Sequence, residues 1–375
     1  MARNIEDAAD GRGIEGVIGR PRSLTLESGA DCSMAGDIAW SRDSTHAIYS
    51  AAATTKPDTD EPDWATSRAT DEQRQQQYEL VEVIGEGAYG TVHLARDRDT
   101  GEQVAVKQLK LGGDFADGVP AHVVREVSLL RDFVHPNIVQ LKDCQNTGVS
   151  EYQLIFEYVP DDLYRIMRGQ RREGVRLPMS KVLGYSRDLL SGVYACHARL
   201  IIHRDLKPQN LLVHPVHGLK ICDFGLARTL SVPSRAYTPE IVTLWYRCLE
   251  LLLGRRTYGA EVDIWSVGCI VAEMAAGHAI FPGDCEIGTC FKIMQLVGSP
   301  TEATWPGFEQ MLPLWSKRFP TWPASDMRAI RDARPELGEA GIDLVRSLLS
   351  LNPSSRPIAR RARAHAVFSQ PGPAA

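Results

Sequence analysis

The sequence predicts an α+β fold in two lobes: a small antiparallel-sheet lobe with one main helix, then a larger, mostly helical lobe. Three observations carry this. From Tyr78, "YELVEVIGEGAYGTVHLARDRDTGEQVAVKQLK" alternates apolar and polar residues in three runs parted by glycine-bearing turns, the pattern of a meander. One amphipathic helix follows in "VPAHVVREVSLLRDFV", with Pro120 at its start and apolar residues at 123, 124, 127 and 130. Farther on, "MSKVLGYSRDLLSGVYACHARL" and "EVDIWSVGCIVAEMAAG" are helical in period and strongly apolar.

Taken in order, residues 1–77 are rich in small, polar and turn-forming residues without sustained periodicity, which predicts a mostly disordered extension. Trp40 and Trp64 are isolated there and read as aromatics without a fixed partner. After the meander and the helix, "NIVQLKDC" and "EYQLIFEYV" are two further strands that complete the small lobe, 78–157. The chain crosses at "FEYVPDD", where a cleft is expected, into the helical lobe at 160–368, and a short tail, 369–375, ends it. No internal repeat is visible.

Composition sets the class. At 375 residues and 43% hydrophobic content the chain can bury a sizeable core. Its net charge of −5 is uneven, because residues 1–77 hold 8 basic and 14 acidic side chains and the remainder holds 34 and 33. The body therefore lacks the bulk basic character that favours nucleic acid, and no nucleic-acid partner is expected. No apolar run reaches the length of a membrane span, and the first thirty residues lack the apolar centre of a signal peptide. A soluble protein of the nucleus or cytoplasm is the expectation. The eight cysteines form no CxxC pair, which fits reduced thiols better than a disulfide frame or a zinc site.

The chemistry concentrates in "IIHRDLKPQNLLV", residues 201–213. Short apolar strands on both sides make the polar centre a loop anchored at both ends, so its side chains can be held still. Asp205 is a carboxylate that can take a proton, Lys207 a cation that can neutralise negative charge, and Asn210 an amide oxygen suited to a hard cation. Together they suit phosphoryl transfer. "GEGAYG" (Gly85, Gly87, Gly90) matches G-x-G-x-x-G, which a dinucleotide fold also uses, but there the glycines open a helix whereas here the strand-like "TVHLA" follows. A glycine hairpin lays backbone N–H groups over phosphates because no Cβ holds the chain away. Lys107, ending "VAVK", is placed to reach those phosphates from the next strand, and Glu126 on the amphipathic helix is placed to hold Lys107. In "ICDFGLAR", Asp223 follows an apolar strand and precedes a Phe-Gly pair, where it can share a magnesium ion with Asn210.

In this order and spacing, these elements make the chain from Tyr78 to about Phe368 resemble a eukaryotic protein kinase. The resemblance implies ATP and Mg2+ as cofactors, with Lys107 pairing the phosphates and Glu126, Asp205 accepting the substrate proton, and Asn210 and Asp223 holding the metal. It also implies an ATP site lined by Ile84, Gly85, Glu86, Gly87, Ala88, Tyr89, Gly90, Val92, Ala105, Lys107, Phe156, Glu157, Val159, Asp162 and Leu212. His203 reads as a packing and hydrogen-bonding residue. A kinase-fold scaffold that binds partners without transferring phosphate is the alternative, and the filled catalytic positions weigh against it.

Finer features resemble the cyclin-dependent kinases. Lys207, two residues after the presumed base, follows the serine/threonine pattern; "HPNIVQL", "DFGLARTLSVPSRAYTPEIVTLWYR" and "DIWSVGCIVAEM" are similar to that family, with "PAHVVRE" at its partner-binding helix. A cyclin-like subunit is therefore expected on the helix carrying Val124 and Glu126. Thr238 is followed by Glu240 where mitogen-activated kinases carry Thr-x-Tyr. The resemblance makes Thr238 a phosphorylation site drawing in Arg125, Arg204 and Arg228, makes Tyr89 an inhibitory site while Ala88 has no hydroxyl, and adds Thr243 to the catalytic set. It implies a proline pocket at Val242 and Arg247, hence Ser/Thr-Pro substrates. Cys248-Leu249-Glu250 stands where Ala-Pro-Glu is usual, with Glu250 expected to pair with Arg356. Cys222, before Asp223, reads as a small hydrophobe rather than a reactive thiol.

Overall fold

In the computed structural model, the residues described are 77–87, 90–110, 127–148, 151–225, 227–229, 244–324 and 326–369. The expectations for residues 1–76, including Trp40 and Trp64, lie outside them.

The small lobe is a five-stranded antiparallel sheet in the order β1-β2-β3-β5-β4. Its strands are β1 (Tyr78–Gly87), β2 (Gly90–Asp97), β3 (Gln103–Lys110), β4 (Leu141–Gly148) and β5 (Glu151–Glu157). Alternation along β3 separates two faces. Val104 and Val106 join Ala95 and Ile155 in a small core that Tyr78 packs against, while Leu109 points the other way into the main core with Leu154 and Phe156. Ala105 and Lys107 share that second face. Cross-strand register sets Lys107 opposite Val92 on one side and Leu154 on the other, and Ala105 opposite Leu94 and Phe156.

Two boundaries differ from the sequence pattern. The strand expected at "NIVQLKDC" begins only at Leu141, because the residues before it are already paired across the lobes. Val139 N–H donates to Ile221 O, Ile221 N–H to Asn137 O, and the Asn137 side chain to Leu219 O, each at 2.9 Å. β5 stops at Glu157, not at Val159. The helix expected over "VPAHVVREVSLLRDFV" is described only at its end. Residues 127–130 are helical, after which Phe133 N–H bonds Leu130 O at 3.1 Å in a tightened last turn, two residues ahead of His135-Pro136.

The helical lobe is built on Met179–Ala198 and Glu261–Ala276, with Leu163–Arg172, Glu286–Val297 and Gly338–Leu348 around them. Both long helices fall where the sequence period put them. Glu261–Ala276 is buried along its length, and Gly277 closes it in the left-handed conformation (φ 83°). The short strands β6 (Asp161–Asp162), β8 (Leu211–His214) and β9 (Gly218–Ile221) form a three-stranded sheet, and β7 (Ile201–Ile202) pairs with β10 (Arg228–Thr229). These strands hold both ends of the Asp205 loop, as its apolar flanks predict. The two-lobed fold, an antiparallel sheet followed by a helical lobe, is the expected one.

Among the described residues no helix is long and apolar enough to cross a membrane, and the seven described cysteines are all free.

Candidate active site

The glycine hairpin forms one wall. Gly87 pairs with Gly90 at its tip. Gly90 has φ 144°, and a Cβ there would sit 1.9 Å from the Gln108 carbonyl oxygen, so no side chain fits. Ala88 and Tyr89 lie outside the described residues. Ile84 and Glu86 are exposed on β1. Val92, Ala105, Lys107 and Phe156 follow on one face of the sheet, by the register above.

The opposite wall comes from the helical lobe. Asp162 pairs across strands with Leu212, bringing two predicted ATP-site residues together through a strand the sequence reading did not foresee. Asp162 also caps the helix Leu163–Arg172, accepting from Arg165 N–H at 2.8 Å. Burial pushes its carboxyl above the ordinary value, opposed by the Arg165 N–H and charge. Where the chain crosses, Glu157 is held by Lys220, whose ammonium lies 2.8 and 2.9 Å from its two oxygens, and Gln140 N–H donates to the same carboxylate at 2.8 Å. Neither Lys220 nor this pairing was read from the sequence. Val159 is buried beside it.

Between the walls lies the Asp205 loop. Lys207 Nζ sits 2.7 Å from Asp205 Oδ2. Asn210 Nδ2 donates to the same oxygen at 3.0 Å and to Asp205 O at 2.8 Å. With its amide nitrogen so engaged, Asn210 Oδ1 remains as the acceptor. Among the described residues Asp205 Oδ1 meets no donor. Cys222 N–H bonds Asn210 O at 3.0 Å, tying the loop to the segment that carries Asp223. Asp223 is the more exposed carboxylate, and its Oδ1 is 3.7 Å from Lys107 Nζ.

The loop's shape is enforced from below. Arg204 and Asp223 both adopt left-handed backbone, φ 73° and 62°. Such strain costs roughly 1–3 kcal/mol and persists only where surroundings dictate it. For Arg204 the cause is visible: the N–H groups of His203 and Arg204 donate to Asp263 Oδ2 and Oδ1 at 2.9 and 2.8 Å. His197 Nε2 lies 2.9 Å from Asp263 Oδ2. Burial alone would raise the Asp263 carboxyl, but the His197 hydrogen bond and charge and the Arg204 N–H hold it below its ordinary 3.8. Asp263 was passed over in the sequence as part of an apolar helix; an acid in the first turn of an otherwise buried helix was the available signal. His203 packs as expected. Its Nδ1 accepts from Asp205 N–H (3.3 Å), its Nε2 faces Cys222 O (3.0 Å), and its ring meets Phe224 edge-on at 4.9 Å. Cys222 is half-buried against the main core, as a small hydrophobe would be.

Glu250 and Arg356 pair bidentately at 2.6 and 2.9 Å, both essentially fully buried, with the guanidinium 4.9 Å from the Trp265 ring. Cys248 tucks in beside them; burial, then the Glu250 charge, pushes its thiol up. Arg247, half-buried, lines a small cavity with Arg204, Asp205 and Cys248. Arg228 is described through its backbone, which pairs with Ile202. Val124, Arg125, Glu126, Thr238, Val242 and Thr243 lie outside the described residues.

Chemically, the cleft offers two acceptor oxygens of hard character, on Asn210 and Asp223, with the Lys207 ammonium beside the Asp205 carboxylate and the Lys107 ammonium beside that of Asp223. Two protein oxygens completed by phosphate and water oxygens are the usual environment of magnesium, so this donor set fits that ion. A family model described as "Protein kinase domain" matches residues 78–368.

Proposed function

The chain belongs to the protein kinase family, a membership that implies use of ATP and a divalent metal, and from that premise we propose that it is a serine/threonine kinase of the cyclin-dependent type, directed to Ser/Thr-Pro sites. The observation that carries the serine/threonine reading is Lys207 Nζ, 2.7 Å from Asp205 Oδ2. That ammonium stands where negative charge gathers on the phosphoryl group in flight, and it leaves Asp205 Oδ1 to face a small aliphatic hydroxyl.

In this reading Asp205 orients the acceptor hydroxyl and takes its proton as the hydroxyl oxygen bonds to the γ-phosphorus and the bond to the β-phosphate oxygen breaks. Lys107 holds the remaining phosphates, positioned by Glu126, and Thr243 supports the catalytic loop. Ile84 and Val92, with Ala105, Phe156, Val159 and Leu212, enclose the adenine, while Gly85, Glu86, Gly87, Ala88, Tyr89 and Gly90 cover the phosphates and Asp162 meets the ribose. Asn210 and Asp223 would hold Mg2+, which when bound neutralises charge on the phosphate oxygens. Asp263 keeps the loop in register through its grip on His203 and Arg204.

A cyclin-like subunit would dock on the helix of Val124. Phosphate on Thr238 would gather Arg125, Arg204 and Arg228, and phosphate on Tyr89 would crowd the cleft. Proline would be preferred after the acceptor: in the kinases this chain resembles, the residue matching Val242 is strained with its carbonyl turned to the arginine matching Arg247, and any other residue's N–H would then lack an acceptor, at roughly 1–3 kcal/mol.

The test is transfer from ATP to Ser-Pro, Thr-Pro and Tyr-Pro peptides, with and without candidate cyclins. Transfer to Ser-Pro and Thr-Pro alone, rising with a cyclin, is the expected result. Asp205→Asn should lower turnover by about 10²-fold or more with nucleotide binding retained. Pro→Ala after the acceptor should slow transfer roughly fivefold or more. Equal rates on the tyrosine peptide would overturn the class, and a change within about twofold on Pro→Ala would overturn the pocket.

A further inference from the structure

Outside the cleft, two guanidiniums and a histidine gather on the helical lobe with no described carboxylate to meet them. Arg199 follows the helix Met179–Ala198, its guanidinium centred 4.3 Å over the buried ring of Phe133 and one nitrogen 3.4 Å from Ala195 O. Arg363 ends the neighbouring helix Ala359–Arg363, 5.0 Å over the ring of Tyr194, with a nitrogen 3.4 Å from Ser191 Oγ. His135 completes the group: its Nδ1 accepts from Asn137 N–H at 3.1 Å, so its ring proton sits on Nε2 as a donor. Burial, then the charges of Arg199, Arg363 and Lys220, hold the imidazole below its ordinary value, a mark of positive potential gathered at one place. Of these, Lys220 alone has its charge met, by Glu157.

Two features distinguish this from scattered surface arginines. Both guanidiniums lie over aromatic rings, so their planar forks are already oriented and lose little freedom on binding an anion. Exposed apolar residues also adjoin the group in the chain: Val134, next to His135, is 72% exposed, and Leu200, next to Arg199, is 56% exposed on left-handed backbone. A free ion would have no use for those residues, but a peptide would.

We propose that His135, Arg199 and Arg363 form a binding notch for a phosphorylated serine or threonine carried on a peptide segment of a partner protein, with Val134 and Leu200 receiving apolar side chains beside the phosphate. None of these residues belongs to the phosphate-transfer machinery, so the notch is a docking site and its occupation leaves the cleft open.

The experiment is fluorescence polarisation with the full chain and labelled peptides holding one phosphothreonine between leucines, not followed by proline so that the cleft does not compete. The phosphorylated peptide should bind and its unphosphorylated form should not. Arg363→Gln and Arg199→Gln should each weaken binding roughly tenfold, the scale of one lost charge-assisted hydrogen bond, with thermal melting and peptide phosphorylation unchanged. Replacing the flanking leucines by serine should weaken binding further, and inorganic phosphate should compete only at far higher concentration. Equal binding of both peptides, or unchanged affinity in both arginine variants, would overturn the site. Inorganic phosphate as potent as the peptide would overturn the peptide as its occupant.

Discussion

Both ends of the helix Glu261–Ala276 bury a carboxylate, and the two behave in opposite ways. Asp263, in the first turn, is 1% exposed and held below its ordinary value; Glu273, in the last turn, is 4% exposed and raised above its own. Burial pushes both upward. The difference lies in the donors. Asp263 receives two backbone N–H groups and faces His197, at the end of the helix where the backbone dipole favours negative charge. Glu273 receives one neutral hydroxyl, Tyr246 at 2.7 Å, with Arg171 and His278 helping only from nearby, at the end where the dipole opposes it. An ion well supplied with donors can organise its surroundings, and Asp263 shapes the Asp205 loop; a poorly supplied one is tolerated, and Glu273 braces Tyr246.

The sharpest break of this contrast is Asp263→Ala. It orphans the N–H groups of His203 and Arg204 and removes the reason for the left-handed Arg204, so stability should fall by about 3–5 kcal/mol in urea unfolding, with phosphate transfer lost alongside. Asp263→Asn keeps an acceptor and should lose about 1–3 kcal/mol. If Asp263→Ala unfolded like the parent, the loop would not depend on this carboxylate. Next in size is Tyr246→Phe at the other end, which leaves Glu273 without its hydroxyl donor and should cost about 1–2 kcal/mol while the chemistry survives.

Smallest, but most diagnostic, is pH. Glu273, with its folded value raised above 4.5, contributes stability that is present below 4.5 and lost as pH rises through the raised value. Asp263, with its folded value below 3.8, contributes stability present above 3.8 and lost as pH falls through the lowered value. Glu273→Gln should therefore match or exceed the parent at pH 7, by on the order of 1 kcal/mol, and lose that advantage near pH 4. An advantage that grew on acidification would mean that Glu273 is the better-solvated of the two. Denaturant melts of parent and variant across this range decide it.

Much of the molecule was legible before folding was considered. Strand alternation from Tyr78 and helical period after Met179 are properties of neighbouring residues, and they gave the order of an antiparallel sheet followed by a helical lobe. The pairing of Glu250 with Arg356 was also anticipated, and the structure shows what anchors it beside Cys248: the guanidinium also donates to the carbonyls of Ser350, Glu261 and Leu351. Strand ends were read less well. Asn137 and Val139 look like the start of β4 but spend their backbone groups on Ile221, and nothing nearby in the chain announces a partner 82 residues away.

What the sequence by itself determined is the inventory and its spacing: Asp205, Lys207 and Asn210 on one loop between apolar strands, Gly90 where no Cβ fits, Asp223 after an apolar run. Those depend on local backbone preference, which a short window contains. What only the tertiary structure decided is how each charge is received. Asp263 is ionised and organising because the N–H groups of residues 59 and 60 positions earlier reach it, Glu157 is fixed because Lys220 arrives from another sheet, and Arg363 reaches Ser191, one turn from the Ala195 carbonyl that Arg199 meets, because the helix Ala359–Arg363 packs on Met179–Ala198. The energy of a buried ion is set by the donors packed around it, and those donors are assembled by the fold from distant parts of the chain.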